Sequence, residues 1–359
     1  MKKIILSLVM ALVLIVATSC SLQSGDTIKF TSLPQPVYTQ GYSEEAFKKE
    51  VKVSINGYET SLDSAEGVVI AGLDFQTVGS HTLVVVYNSA SLTFDYEVVA
   101  SLTTTKVSTE DELSNALKNG VAAIELTKDI EVQKGILYIL KPVIIYGNGF
   151  KVSSPNLTRI FQSYSDLEGW DIPEKSTIAF YDLTIDAQVI PSNGSKDVRA
   201  VCLKNIKDCT VIFDNCNLSS IGYTLNVRND CANTEIYIKN GSSSSGWAAI
   251  NCISENCEIT VMDSNLYSYN TLDGESNSFA TIVLYGPNST INVTNSIISA
   301  QQKGAAFQYI AGIYRNAQDG TTPINSTINF TNCKLNTNNP EKLFRYDSGN
   351  TIIVDGEVK

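Results

Sequence analysis

One phrase recurs through the C-terminal part of the chain and restricts the fold more than any other feature. It is an alternating strand-like run closed by Asn or Asp, followed in most copies by a small residue. The copies occupy 177–183, 210–216, 235–241, 258–264, 290–296 and 327–333. Their closing residues, Asp182, Asn215, Asn240, Asp263, Asn295 and Asn332, are 33, 25, 23, 32 and 37 residues apart. A second apolar stretch lies between copies, at 200–203, 223–227, 248–253, 280–284 and 305–313. The shortest step holds three short strands with their turns, which is one coil of a parallel β-solenoid. Such a coil buries its inward residues only when stacked on others, so Ile178, Val211, Ile236, Ile259, Ile291 and Ile328 are expected to form one inward column. The Asn and Asp residues are expected to stack at a corner and satisfy backbone groups there as an amide ladder. Longer steps are expected to bulge as loops from one corner.

The segment ahead of the repeat supplies a cap. Thr109 followed by Glu112 has the spacing of a capping box, Leu113, Ala116 and Leu117 share one helix face, and Gly120 stops the helix. Strands follow at 123–126, 136–140 and 143–146, then Gly147, Asn148 and Gly149. This order, with Asp129-Ile130 and Pro142-Val143-Ile144-Ile145 before the Gly-Asn-Gly, resembles the opening of the pectin-lyase-like right-handed β-helix superfamily. Tyr146 stands where many members have Asp. The resemblance covers roughly 105–356 and implies a right-handed single-stranded parallel β-helix over 108–359, with a short N-terminal capping helix. It implies little about activity, because that superfamily includes lyases, hydrolases, epimerases, adhesins and surface proteins without known chemistry.

Residues 28–99 follow a different grammar, of short period-2 strands separated by turns. Val51, Val53 and Ile55 alternate with polar residues before Asn56-Gly57, and Leu92, Phe94 and Tyr96 alternate after the turn at 88–90. These strands predict a small β-sandwich. Tyr38 and Gly41, Asn56 and Gly57, then Val78, Gly79, Thr82, Val84, Val86 and Tyr87, and finally Phe94 and Val98 resemble the motif order of the group-3 bacterial immunoglobulin-like module. The resemblance implies a spacer or adhesion unit without catalytic residues, here without a cysteine pair. Residues 100–107 are the expected linker. The whole chain is therefore expected to be all-β.

The first residues read as an export address. Lys2 and Lys3 precede an apolar run over 4–16 that ends in Ala17, Thr18, Ser19 and Cys20. The run is too short to span a bilayer and has the order of a secretory signal over 1–19. Cys20 after small residues resembles a bacterial lipobox, which implies lipidation of Cys20, a tether over 20–27 and a membrane attachment through that lipid. The formal charge is -11, so the protein repels anionic headgroups, and nucleic acid is excluded as a partner. Of the eight cysteines seven remain beyond Cys20, an odd number for an exported protein.

Chemistry is sparsely signalled. A polysaccharide lyase needs a basic residue and carboxylates that hold calcium against a uronate. The candidates are Asp182, Asp186, Asp214 and Asp263 with Arg199, Lys204, Arg228 and Lys239. Asp182 and Asp263 read as corner residues and Asp214 as one residue before that column, the cations as scattered at different coil phases, and no Arg-x-Pro-x-x-Arg motif occurs. A hydrolase of the polygalacturonase pattern would need an Asp-Asp pair and a nearby His. The sequence has no Asp-Asp, and its single histidine, His81, reads as a surface residue of the sandwich. No catalytic residue, resident metal or cofactor is expected, calcium entering only under the lyase alternative. Aromatic residues near insertions, Trp170, Tyr267, Tyr269 and Tyr285, are the candidate glycan-binding set, because aromatic faces stack on sugar rings. Trp247 reads as core. Cys216 and Cys333 read as buried small residues, whereas Cys202 with Cys209 and Cys252 with Cys257 are spaced for local bridging. The expected function is noncatalytic binding of an extracellular glycan or protein at the cell surface. A lyase or hydrolase acting on a uronate-type glycan is the alternative.

Overall fold

The computed structural model describes residues 26–100, 103–164, 166–190, 194–270, 279–301, 307–317 and 320–359. The expected signal segment over 1–19, Cys20 and most of the insertion after Tyr269 lie outside the described residues. The chain divides into two compact units, 1–103 and 104–359. Among the described residues no helix is long and apolar enough to cross a membrane.

The first unit contains two small sheets. One joins β1 (Ile28–Ser32), β3 (Lys52–Ile55) and β4 (Tyr58–Ser61), and the other orders β2 (Val37–Thr39), β7 (Ala90–Val99), β6 (Gly79–Tyr87) and β5 (Val68–Ala71). The turn between β3 and β4 uses Asn56 at φ 50° and Gly57 at φ 90°, both in the left-handed region that a tight hairpin requires. Phe30, Val53, Leu83, Val85, Phe94 and Val98 are buried. One element departs from the all-strand expectation, the helix α1 (Glu44–Glu50). Ser43 caps it by accepting from the Ala46 amide, and Glu44–Lys48 and Glu45–Lys49 pair along it at 2.7 Å. Phe47 is its only buried side chain and meets the rings of Tyr38 and Phe75. His81 stacks on Tyr96, with its Nε2 2.6 Å from the Thr77 carbonyl.

The second unit is a right-handed parallel β-helix. Its cap is α2 (Glu110–Asn119), which carries the full capping box between Thr109 and Glu112 and ends on Gly120 at φ 69°. Leu113, Ala116 and Leu117 join the core of the first coils. Three sheets run along the solenoid, the first of eleven strands and the second and third of eight each. A representative coil passes through Thr210–Asp214 of the first sheet, Asn217–Ser220 of the second and Tyr223–Val227 of the third. Neighbouring strands pair in parallel, except for the closing hairpin of Thr351–Val354 with Glu357–Val358. The expected inward column forms, with Ile178, Val211, Ile236, Ile259, Ile291 and Ile328 in register and fully buried. Beside it Phe180 and Phe213 stack at 4.9 Å with an interplanar angle of 4°.

The corner residues do form a column, for a reason more basic than an amide ladder. Asp182, Asn215, Asn240, Asp263, Asn295 and Asn332 all have φ between 48° and 54°. Asn and Asp tolerate this left-handed geometry better than other residues with a side chain. Five of their amides donate to the next coil's backbone, as Asn215 does to the Lys239 carbonyl at 2.9 Å, and that of Asn332 donates to Asp355 Oδ1 at 2.8 Å. Side-chain bonds are interspersed, with Asn332 Nδ2 reaching Asn295 Oδ1 at 2.8 Å and Asn240 Nδ2 reaching Asp214 Oδ1, one residue off the column, at 3.0 Å. A second left-handed column, not anticipated from the repeat, precedes the first-sheet strands at Lys175, Asp208, Asn233, Asn256, Asn288 and Asn325. The next residue in several coils donates its side chain to the preceding coil, as Ser289 Oγ does to the Ser254 carbonyl at 3.0 Å.

Candidate ligand-binding face

The chain contains five arginines, and the third sheet gathers all of them. Arg159 opens Arg159–Ser163, Arg199 opens Arg199–Leu203, and Arg345 lies within Phe344–Tyr346. Arg228 directly follows Tyr223–Val227, and Arg315 lies two residues beyond Gln308–Ile313. Local geometry explains how this face forms. In Tyr223–Val227, Leu225 and Val227 enter the main core, whereas Tyr223 belongs to a separate apolar cluster with Ala248, Ile253, Ala280, Val283, Tyr285 and Tyr314. Thr224 is buried and held by the Ser243 hydroxyl and the Ala249 carbonyl. The strand therefore carries its first residue to the outer side, and Arg159 and Arg199 share the register of Tyr223.

The basic and aromatic side chains on this sheet contact one another. The Arg199 guanidinium lies 5.6 Å from the Tyr223 ring centroid and binds Asp197 at 2.8 Å. Arg345 lies over Tyr314 at 4.1 Å, and Lys204 over Tyr164 at 4.2 Å. Trp247 stacks on Phe279 at 5.4 Å and meets Tyr223 edge-on at 5.1 Å. In the same sheet Asn251 Nδ2 donates to Asn226 Oδ1 at 2.9 Å. Arg199 Nε, Trp247 Nε1, Asn226 Nδ2 and Asn251 Oδ1 are buried and have no hydrogen-bond partner among the described residues. Buried polar atoms are ordinarily satisfied, so this concentration marks a place where water or a ligand completes the bonding.

The electrostatics agree. Burial pushes the Cys202 thiol up, while Arg199, Arg159 and Arg228 all pull it down, so three guanidiniums act on one point of the sheet. Burial also raises the phenols of Tyr223 and Tyr314, which keeps them protonated and able to donate. Forked cationic donors among aromatic faces are suited to a ligand that combines carboxylate or sulfate groups with ring faces.

The four aromatic residues predicted from sequence are not brought together. Trp170 is half-buried and packs against the core at the first coils. Tyr267 and Tyr269 stack on each other at 5.7 Å on the second sheet, their hydroxyls donating to Gln301 and Gln188. Only Tyr285 reaches the third sheet, where it meets Tyr314 edge-on at 5.2 Å. Trp247 requires a correction: it belongs to the outer aromatic cluster and not to the core, because the strand after it turns only its later residues inward. The cations also require one. Lys204 and Arg228 share one register position just past their third-sheet strands, Arg199 opens its strand at a different phase of the coil, and Lys239 pairs with Asp214 at 3.0 Å on the first sheet. Asp182 and Asp263 are corner residues, and Asp186 on the second sheet accepts from Ser219 at 2.8 Å. These acids do not gather beside the arginines, and among the described residues no three His, Cys, Asp or Glu side chains converge on a metal position. Cys202 lies outside the core cluster that contains Cys209, and the seven described cysteines are all free thiols.

The arginine face carries a partial signal in the sequence: Arg199, Arg228 and Arg315 each fall within two residues of a second apolar stretch of the repeat, whereas Arg159 and Arg345 lie outside those stretches. No protein-family model matches the chain, and no curated protein matches it.

Proposed function

We propose that the protein is a noncatalytic, lipid-anchored surface protein whose β-helix binds an acidic extracellular glycan along the outer face of the third sheet. The observation that carries this reading is that all five arginines, with Trp247, Phe279, Tyr223 and Tyr314, lie in or within two residues of the strands of one sheet, in a chain whose formal charge is -11. A diffuse electrostatic role would scatter Arg as Lys is scattered. Arg in place of Lys points to planar, bidentate recognition of carboxylate or sulfate. The export address and the Cys20 lipobox support attachment to the bacterial envelope, with the immunoglobulin-like unit as a stalk that presents the solenoid.

A glycan array covering neutral, carboxylated and sulfated polysaccharides tests the reading. Acidic polymers should bind, binding should weaken as salt rises, and the exposed substitutions Arg315→Ala and Arg345→Ala should each weaken it without altering the melting midpoint. Selective binding of neutral glycans, or binding indifferent to both substitutions, refutes the site. Breakdown of a bound polymer to unsaturated or hydrolysed products would replace binding by catalysis.

A further inference from the structure

We infer that Cys252 and Cys257 form an intrachain disulfide when the chain folds in the presence of a thiol oxidant, stapling one turn of the solenoid. Cys252 ends the third-sheet strand Ala248–Cys252, and Cys257 immediately precedes the first-sheet strand Glu258–Met262, so only the turn 253–256 separates them. Both thiols are buried in the same core cluster, both are free in the structure, and Cys252 Sγ donates to the Ser254 carbonyl of the intervening turn at 3.9 Å. The pairing is unusual for this solenoid. At the position of Cys252 the neighbouring coils carry Val227 and Leu284, and at that of Cys257 they carry Thr234 and Ser289. Cys257 also does the work of a serine in its column, donating to the Cys231 carbonyl at 3.2 Å. Two thiols therefore meet where the other coils pair an aliphatic side chain with a hydroxyl or another single thiol.

The chemistry is that of thiol–disulfide exchange. The neighbouring Cys252 side chain holds Cys257 below the ordinary thiol range, which makes Cys257 the attacking sulfur. With oxidised glutathione as the oxidant, the Cys257 thiolate attacks one sulfur and releases one molecule of glutathione, leaving a mixed disulfide. Cys252 then loses its proton and attacks Cys257 Sγ, which displaces the second glutathione. Two electrons pass from the cysteine pair to the oxidant, and the two cysteine protons end on the two released thiols. Because both sulfurs are buried in the folded coil, the exchange takes place during folding or when the turn opens.

The test is refolding of the reduced full chain in a glutathione buffer, alkylation of remaining thiols under denaturant, and tryptic mass mapping. Trypsin cuts after Lys239 and Lys303, so residues 240–303 form one peptide whose cysteines are Cys252 and Cys257, while Cys231 lies in the peptide 229–239. The expected result is a 240–303 peptide lighter by two hydrogens and free of alkylation. Alkylation of both cysteines, or a link to the 229–239 peptide, overturns the inference. Cys252→Val with Cys257→Ser provides a second measure, since Val227 and Ser289 occupy those columns in adjacent coils. Reductant should lower the melting midpoint of the oxidised wild type and leave the double variant unmoved; a wild type equally unmoved contradicts the staple.

Discussion

The corner columns allow two causes to be separated by one pair of substitutions at Asn295. This residue sits at φ 51°, its amide donates to the Thr331 carbonyl at 3.1 Å, and its Oδ1 accepts from Asn332 Nδ2 at 2.8 Å on the exposed edge. If left-handed backbone geometry selects Asn, alanine must adopt a conformation that costs about 1–2 kcal/mol. Loss of the exposed side-chain bond adds about 0.5 kcal/mol, because water replaces the acceptor. Glycine loses the same bond but carries no left-handed strain, and its extra freedom in the unfolded chain costs about 0.5–1 kcal/mol. Asn295→Ala should therefore be less stable than Asn295→Gly by about 1 kcal/mol. Urea unfolding followed by circular dichroism and by tryptophan fluorescence reads both variants. Coincidence of the two probes guards against partial unfolding of a repeat array, in which coils at one end can open first. Equal losses for alanine and glycine would refute the backbone argument and restore the amide ladder as the reason for the column.

Three further outcomes follow from the packing and the buried thiols. Phe213→Ala removes one ring of the inward stack with Phe180 and should cost about 3–5 kcal/mol, while Phe213→Leu should cost less than about 2 kcal/mol; urea midpoints measure both. Trp170→Ala should lower the melting midpoint and leave glycan binding intact, whereas Trp247→Ala should weaken binding, and the reverse pattern would return the glycan site to Trp170. Burial raises the Cys209 thiol to about 11 and the Cys216 thiol to about 12, from an ordinary value of 9.0. The unfolded chain therefore releases these protons first, so the stability they contribute is complete below pH 9.0 and declines as pH rises toward 11 and 12. Alkaline urea titrations of the wild type and Cys216→Ser should show a shallower decline in the variant.

Much of the β-helix was legible because its order repeats at the level of single residues. Ile178 to Ile328 mark the inward column, and Thr109, Glu112 and Gly120 mark the cap, since each signal depends on neighbours close in sequence. The helix α1 was not legible. Its one buried residue, Phe47, has no second apolar partner on the same helix, and its stability comes from rings contributed by Tyr38 and Phe75 elsewhere in the chain. The second left-handed column was visible as Asn followed by Thr, Cys or Ser before several first-sheet strands, but the small residues after the strands were the stronger rhythm. Trp247 was misplaced for a more general reason. A run such as 247–253, apolar except for Asn251, does not reveal which side of a strand faces the core when the strand bends and the outer side also carries an apolar cluster.

The same geometry explains why the arginine face escapes a search for local motifs. Arg159 and Arg345 are far apart in sequence, yet their strands are the second and last of one eight-stranded sheet. At the ordinary strand spacing, that separation is roughly 30 Å along the solenoid. Local motifs concentrate several residues within one strand or turn. A stacked solenoid can instead place one residue from each of several coils on a shared line, so its chemistry is read across coils and hardly at all along the chain. Here Arg159 and Arg199 share one column, Arg345 lies three register positions from it, and Arg228 and Arg315 lie just past their strands, so the site is a broad face that suits an extended polymer carrying repeated charges. Each contact can then be individually modest, because ligand groups already tethered to a bound neighbour meet the next coil at high effective concentration. The lysines, which outnumber the arginines, show no comparable gathering, and Lys239 and Lys134 are paired with Asp214 and Asp111. The identity of the cation, more than the net charge, distinguishes the third sheet from the rest of an acidic surface.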